Sequence, residues 1–175
     1  PNAEDIVSGR LQVSDLKRVD ASDLLGRAPI PPDPKLMRRT IDGRAILVTG
    51  AGGSIGSELV RQIIKYNPKK VVLLEASESA LYEIEQQVGT LLRTFAPGRP
   101  VPKVAALLGS VLDRHLVEAV INEHAIQSIF HAAAYKHLPI VERNIVAGAS
   151  NNVIGTEVVA RAAAKLRVPT FVLIS

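Results

Sequence analysis

The sequence predicts an α/β domain, a doubly wound parallel sheet of five strands, and three features point to it. From Arg44 onward, short apolar runs rich in β-branched residues alternate with amphipathic segments of helical period. Three of those runs, Ala45-Ile-Leu-Val48, Val71-Val-Leu-Leu74 and Phe171-Val-Leu-Ile174, are apolar at every position. They need cover on both faces, which is the situation of parallel strands between two helical layers. A glycine cluster also separates the first strand from the first helix.

In order, strands are predicted at about 45–49 and 70–75, with a helix at 54–66 between them and another at 78–93 after them. A surface turn at Ala96-Pro-Gly-Arg-Pro-Val-Pro102 leads to a strand near 103–108, a helix near 113–124 and a strand near 127–131. One long helix near 141–165 and a last strand at 168–174 complete the pattern. Residues 1–42 read as a linker or arm, and 43–175 as the domain. In the arm, Asp15, Asp20, Ser22 and Asp23 are helix-start or turn residues, and Leu24-Leu25-Gly26 has the form of a short helix end. Pro29-Ile-Pro-Pro-Asp-Pro34 must be extended, because each proline fixes its own φ and restricts the residue before it.

Composition narrows the function classes. The 175 residues are 47% apolar, 22% charged and 3% aromatic, enough for one packed core and unlike a disordered tail. Zero cysteines exclude a disulfide framework and thiolate metal sites, and they fit a reducing, cytoplasmic compartment. No apolar run approaches the roughly 18–20 residues of a spanning helix. The chain starts at Pro1 and is expected to be processed or excised from something longer. The net charge of +4 comes from scattered pairs such as Lys17-Arg18, Arg38-Arg39 and Lys69-Lys70, none interleaved with aromatics. They read as solvated charge at element ends, and no nucleic-acid partner is expected.

The segment Thr49-Gly50-Ala51-Gly52-Gly53-Ser54-Ile55-Gly56 leaves the first strand and opens the first helix. A turn that tight needs glycine at positive φ, a pyrophosphate must approach backbone without a Cβ in its way, and free N–H groups at the helix start attract its charge. Gly50, Gly53 and Gly56 fill those roles. Glu75 closes the second strand at the distance expected of a group that reads the adenosine ribose. A carboxylate there accepts from both ribose hydroxyls and repels a 2′-phosphate, so NAD is favoured; with no Arg or Lys at Ala76 or Ser77, NADP is less well provided for, though it stays open.

With those residues in hand, the glycine turn, Leu81-Tyr-Glu-Ile-Glu85, Phe130-His-Ala-Ala-Ala-Tyr-Lys-His137 and Asn151-Asn-Val-Ile-Gly-Thr156 together resemble the extended short-chain dehydrogenase/reductases. Within them the chain is similar to the CapD-like polysaccharide-biosynthesis enzymes, nucleotide-sugar 4,6-dehydratases and epimerases with a Rossmann fold. The resemblance runs from about Asp20 to Ser175, and Asp23-Leu-Leu-Gly-Arg27 looks like the linker that joins membrane helices to the catalytic domain in long members. It implies that Gly52, Gly53, Ser54 and Ile55 lie along the pyrophosphate and that Glu75, Ala76, Ser77 and Glu78 surround the ribose. It places Ser110 and Val111 at the adenine, and Ala132, Ala133 and Ala134 along the path to nicotinamide. Lys136 would reach the cofactor or the sugar nucleotide, and His137 has the better position of the two histidines for substrate. Ser110 is a departure, since the family usually carries Asp there.

The chemistry implied for the parent protein is hydride transfer from sugar carbon 4 to the nicotinamide, elimination of water across carbons 5 and 6, and return of hydride to carbon 6. Its partners would be a UDP-sugar, other copies of itself and, through a segment outside this chain, the cytoplasmic face of a bacterial inner membrane. In that family the catalytic groups follow the fifth strand, so no catalytic residue is expected before Ser175. Tyr66-Asn-Pro-Lys-Lys70 mimics a catalytic Tyr-Lys spacing, but Pro68 breaks any helix that would align the pair. His131, at the end of an apolar strand, reads as a satisfied structural histidine, and the amides of Asn151 and Asn152 as bridges to backbone between strands. No carboxylate pair, Ser-His-Asp set or metal-ligand cluster offers another site. Two alternatives stand beside a dehydratase: an epimerase, and a non-catalytic NAD(H)-binding regulatory or scaffold module.

Overall fold

The computed structural model describes residues 33–174. The predicted turn residues Asp15, Asp20, Ser22 and Asp23 and the Leu24-Leu25-Gly26-Arg27 element lie outside them. Five strands, β1 (Ala45–Thr49), β2 (Lys70–Glu75), β3 (Lys103–Leu108), β4 (Ser128–His131) and β5 (Thr170–Leu173), form one all-parallel sheet in the order β3-β2-β1-β4-β5. The order reverses direction between β1 and β4, and a crevice opens at the carboxyl ends of these strands.

Helices α1 (Pro34–Ile41), α2 (Ser54–Lys65) and α3 (Glu78–Arg93) precede β1, β2 and β3, and α4 (Arg114–Glu123) precedes β4. The strand side chains alternate between two cores, as a period of two requires. Ile46, Val48, Val71 and Leu73 pack with Val60, Ile63 and Ile64 of α2 and with Ile84 and Val88 of α3. Ala45, Leu47, Val72 and Leu74 face the other way, onto Val117, Val120 and Ile121 of α4 and onto Val159, Ala162 and Ala163. The runs that are apolar throughout are therefore covered on both sides in β1 and β2, each buried Ile or Leu contributing roughly 1.5–3 kcal/mol. At the edge, β5 is only partly covered, and Leu173 is 49% exposed.

Several element ends move by a residue or two, the last strand running over Thr170–Leu173 rather than 168–174, and two expectations fail by more. The arm was expected to run to residue 42 with Pro34 extended, yet Pro34 opens α1, where a missing N–H costs nothing. Ile41 is fully buried in the core, and Ser128 Oγ donates to the Thr40 carbonyl at 2.7 Å, so the compact unit begins at Pro34. The single long helix expected over 141–165 is instead α5 (Leu138–Arg143), α6 (Ile145–Ala149), a π-helical turn (Ser150–Gly155) and α7 (Thr156–Lys165). The sequence there holds Asn144, Gly148, Asn151, Asn152 and Gly155, all weak helix formers. Asn144 breaks the run with non-helical φ −131° and ψ 51°, its amide donating back to the Ile140 carbonyl at 2.9 Å. Lys165 pairs with Glu118 at 2.7 Å and ties α7 to α4; with Arg114, it holds the Glu118 carboxyl below the usual carboxylate range.

Candidate cofactor-binding site

Each glycine of the turn has its own reason to lack a side chain. Gly50 has φ +65°, and a Cβ on it would stand 2.7 Å from the Ala133 Cα, so the turn presses directly on the segment leaving β4. A Cβ on Gly52 would meet Ala80 of α3 at 2.6 Å, and one on Gly56 would lie 1.9 Å from the Gly50 carbonyl oxygen. Gly53 is the N-cap of α2 with ordinary extended dihedrals, and a Cβ there would be no closer than 3.3 Å to anything. Close packing is thus the work of Gly50, Gly52 and Gly56. Gly53 leaves the helix N-terminus bare, with no side chain capping it, and the positive end of the α2 dipole is open to an anion.

Glu75 carries the turn as well as the strand end. Its Oε2 accepts from Gly52 N–H at 3.0 Å, and its Oε1 from Ala76 N–H at 2.8 Å and Ser77 N–H at 3.0 Å. A carboxylate offers about four acceptor positions, so three are engaged and one remains for an incoming hydroxyl.

One crevice brings together most of the residues singled out from sequence. Gly50 and Gly53 form one edge, Glu75 and Ala76 the next, Ser110 and Val111 a third, and Ala132, Ala133 and Ala134 the side under β4. The reading from sequence did not assign Leu74, Gly109, Tyr135 or Asn151 to it, although all four line it. Tyr135 and Asn151 belong to two separate sequence motifs, and nothing in their spacing reveals that both line one crevice. Ser110 Oγ accepts from Leu112 N–H at 3.1 Å, and Val111, which also lines the crevice, is 4% exposed and belongs to the core under it. Ser77 and Glu78 do not line it: Ser77 caps α3, accepting from Ala80 N–H at 3.4 Å, and Glu78 sits in the first turn of that helix. Ile55 is partly exposed at the start of α2.

Gly53, Ala134 and Tyr135 also border a second, larger cavity of about 670 Å³, lined by Ser54, Lys136, His137, Ile140, Val141 and other residues of α5 and α6. Lys136 Nζ donates to Ser54 Oγ, which carries a positive charge to the bare N-terminus of α2. His131 is 1% exposed and lies between Thr49 and Thr156, and burial pushes its pKa below the ordinary 6.5. The expected amide bridges are made to the loop after β4 rather than between strands. Asn152 accepts from Tyr135 N–H at 2.8 Å and donates to its carbonyl at 2.9 Å, and Asn151 donates to the Ala133 carbonyl at 3.4 Å. Among the described residues no cluster of three or more His, Asp or Glu side chains is arranged to hold a metal, and no helix is long and apolar enough to cross a membrane.

A family model described as polysaccharide biosynthesis protein matches residues 46–175. The capsular polysaccharide biosynthesis protein CapD of Staphylococcus aureus is 42% identical over 175 residues, all of this chain and 28% of its own length. A UDP-N-acetylglucosamine 4,6-dehydratase (inverting) of Campylobacter jejuni is 26% identical over 113 residues, 64% of this chain and 30% of that protein. The chain thus spans less than a third of the length of these curated relatives. Among solved structures, UDP-glucose 4-epimerase from Bifidobacterium longum in complex with NAD+ and UDP superposes with a TM-score of 0.59 at 25% identity, over 75% of this chain and 36% of the other. The parallel sheet, the glycine turn and these matches agree: the chain has a Rossmann fold and belongs to the polysaccharide biosynthesis protein family.

Proposed function

We propose that this chain is the NAD-binding portion of a nucleotide-sugar 4,6-dehydratase acting on a UDP-N-acetylhexosamine in capsule, O-antigen or glycan biosynthesis. The observation that carries the reading is the bare N-terminus of α2, which faces a crevice with Glu75 at one rim and three alanines at the other. The parts fit a dinucleotide in order. The α2 N–H groups and Lys136 would receive the pyrophosphate, the remaining acceptor position of Glu75 a ribose hydroxyl, and the backbone at Ser110 and Val111 the adenine. Ala132, Ala133 and Ala134 would admit a flat ring close to the backbone, and a 2′-phosphate would meet the charge of Glu75. When bound, the cofactor would take up and return a hydride, which leaves it unchanged over a cycle and favours tight holding.

His137 and Lys136 border the adjoining cavity, where the sugar nucleotide would lie. The catalytic acid and base are assigned to the part of the parent protein beyond this chain, and the chain alone is expected to bind the cofactor weakly and not to turn over. The setting proposed for the parent is the cytoplasmic face of a bacterial inner membrane, supported by the linker resemblance at Asp23-Leu-Leu-Gly-Arg27. A homo-oligomer is proposed as well, supported by the exposed apolar residues Leu138, Ile145 and Val146 on α5 and α6. The test is calorimetric titration of the chain with NAD and, separately, NADP. Tighter binding of NAD, lost in Glu75→Ala, is expected; equal or preferential binding of NADP overturns the cofactor assignment. Dehydration of a UDP-sugar by this chain alone would overturn the division of labour.

A further inference from the structure

The buried histidine does more than fill the core. Thr156 opens α7 directly after the π-helical turn, and its hydroxyl donates to the Asn152 carbonyl four residues back at 2.7 Å. A hydroxyl has one proton to give. The same oxygen stands 3.0 Å from His131 Nε2, so it accepts there and Nε2 carries the ring hydrogen. Nδ1, 2.6 Å from Thr49 Oγ1, then accepts from the Thr49 hydroxyl. The donors run one way, from the end of β1 through the ring to the π-helical turn. Asn152, at the receiving end, closes its carboxamide on both backbone groups of Tyr135, and Asn151 holds Ala133. Asn151 also donates to Asn152 Oδ1 at 3.0 Å, and no buried side-chain polar atom is left without a partner among the described residues. The ring also stacks on Phe171 of β5, with centroids 6.2 Å apart, which fixes its plane.

We infer that His131 is a positioning residue of the crevice: through the Thr156 hydroxyl and the Asn152 carboxamide, its Nε2–H sets the wall formed by residues 133–135. That wall lies on the β4 side of the switch point, opposite Glu75, so the relay governs the half of a dinucleotide that is not adenosine. Burial disfavours the charged ring and keeps it neutral, and the Thr156 and Thr49 hydroxyls select the tautomer.

The inference rests on the NAD reading only where affinity is measured, and the experiment separates the two. In nitrogen-resolved NMR of the chain, His131 is expected in the Nε2–H tautomer; the Nδ1–H tautomer overturns the relay without any ligand. Thr156→Val is expected to shift the Tyr135 amide resonance and to weaken NAD binding about tenfold while leaving AMP binding unchanged, with Thr156→Ser restoring both. An unmoved Tyr135 resonance, or an equal loss of NAD and AMP binding, overturns the inference. If Thr156→Val does not fold, Asn152→Ala removes the clamp and keeps the His131 contacts, and the same selective loss of NAD binding is required. If the unaltered chain binds neither nucleotide, the NAD reading fails, and the tautomer and the Tyr135 resonance still decide the relay.

Discussion

Gly53 and Gly56 both serve ligand approach or the helix start in the sequence reading, yet only Gly56 is packed against backbone in the structure, and replacing each with alanine separates packing from ligand approach. At Gly56 the new Cβ would lie 1.9 Å from the Gly50 oxygen, 2.8 Å from the Gly50 carbonyl carbon and 3.1 Å from the Ala51 Cα. All three are backbone, so no side chain can swing aside, and α2 must move by more than about 1 Å relative to the turn. Gly50 in turn abuts Ala133, so the turn has nowhere to retreat. Overpacking of a close-packed site costs about 1–3 kcal/mol, and a clash wholly with backbone belongs at the top of that range. About 3 kcal/mol is a large share of the roughly 5–15 kcal/mol that holds a domain folded, and at this size it lowers Tm by about 10 °C. At Gly53 the nearest atom is 3.3 Å away and the dihedrals suit any residue, so Gly53→Ala should cost under about 1 kcal/mol. Its methyl group instead stands at the bare helix end, and NAD binding should weaken while the fold persists. Urea unfolding and calorimetric NAD titration of both variants provide the assay. A Gly56→Ala protein as stable as Gly53→Ala would refute the packing argument, and a Gly53→Ala protein that binds NAD normally would refute the assignment of the α2 N-terminus.

Glu75→Ala leaves the Gly52, Ala76 and Ser77 N–H groups without their acceptor; NAD affinity should fall by about tenfold or more, with the NAD-over-NADP preference gone, and unchanged titrations with both would contradict it. Burial holds the His131 pKa below 6.5, so below that pH the unfolded chain takes up a proton that the folded chain refuses. Stability is therefore full above pH 6.5 and declines as pH falls toward the lowered folded value; urea unfolding at about pH 7.5 and 5.5 should show a smaller decline in His131→Gln, and an equal decline would remove His131 from the account. Ile145 and Val146 are 70% and 80% exposed, so the chain should self-associate, and Val146→Asp should shift sedimentation toward monomer, whereas an already monomeric parent chain would refute that use of the face.

Much of this molecule can be read along the chain, because local period and turn chemistry carry it. The apolar runs of β1 and β2, the glycines between β1 and α2, and the acidic residue at the end of β2 all follow from neighbours within a few positions, and each stands where its pattern places it. The arm boundary and the long helix could not be read that way. Nothing near Pro34–Ile41 records that Ile41 will be buried, and apolar periodicity over 141–165 conceals the Asn and Gly positions at which the helix comes apart.

The side-chain partners were decided by the tertiary fold alone. Thr49 meets His131 across 82 residues, His131 meets Thr156 across 25, Tyr135 meets Asn152 across 17, and Glu75 reaches Gly52 across 23. Hydrogen bonds of that kind leave no periodic trace, since any polar residue at a strand end or helix break satisfies the same local rules. The sequence by itself therefore determined a parallel sheet with a phosphate-ready turn. Only the packed structure decided that Gly56 serves the backbone behind it, that Glu75 already holds the turn, and that a buried histidine ties the sheet to the wall of the crevice.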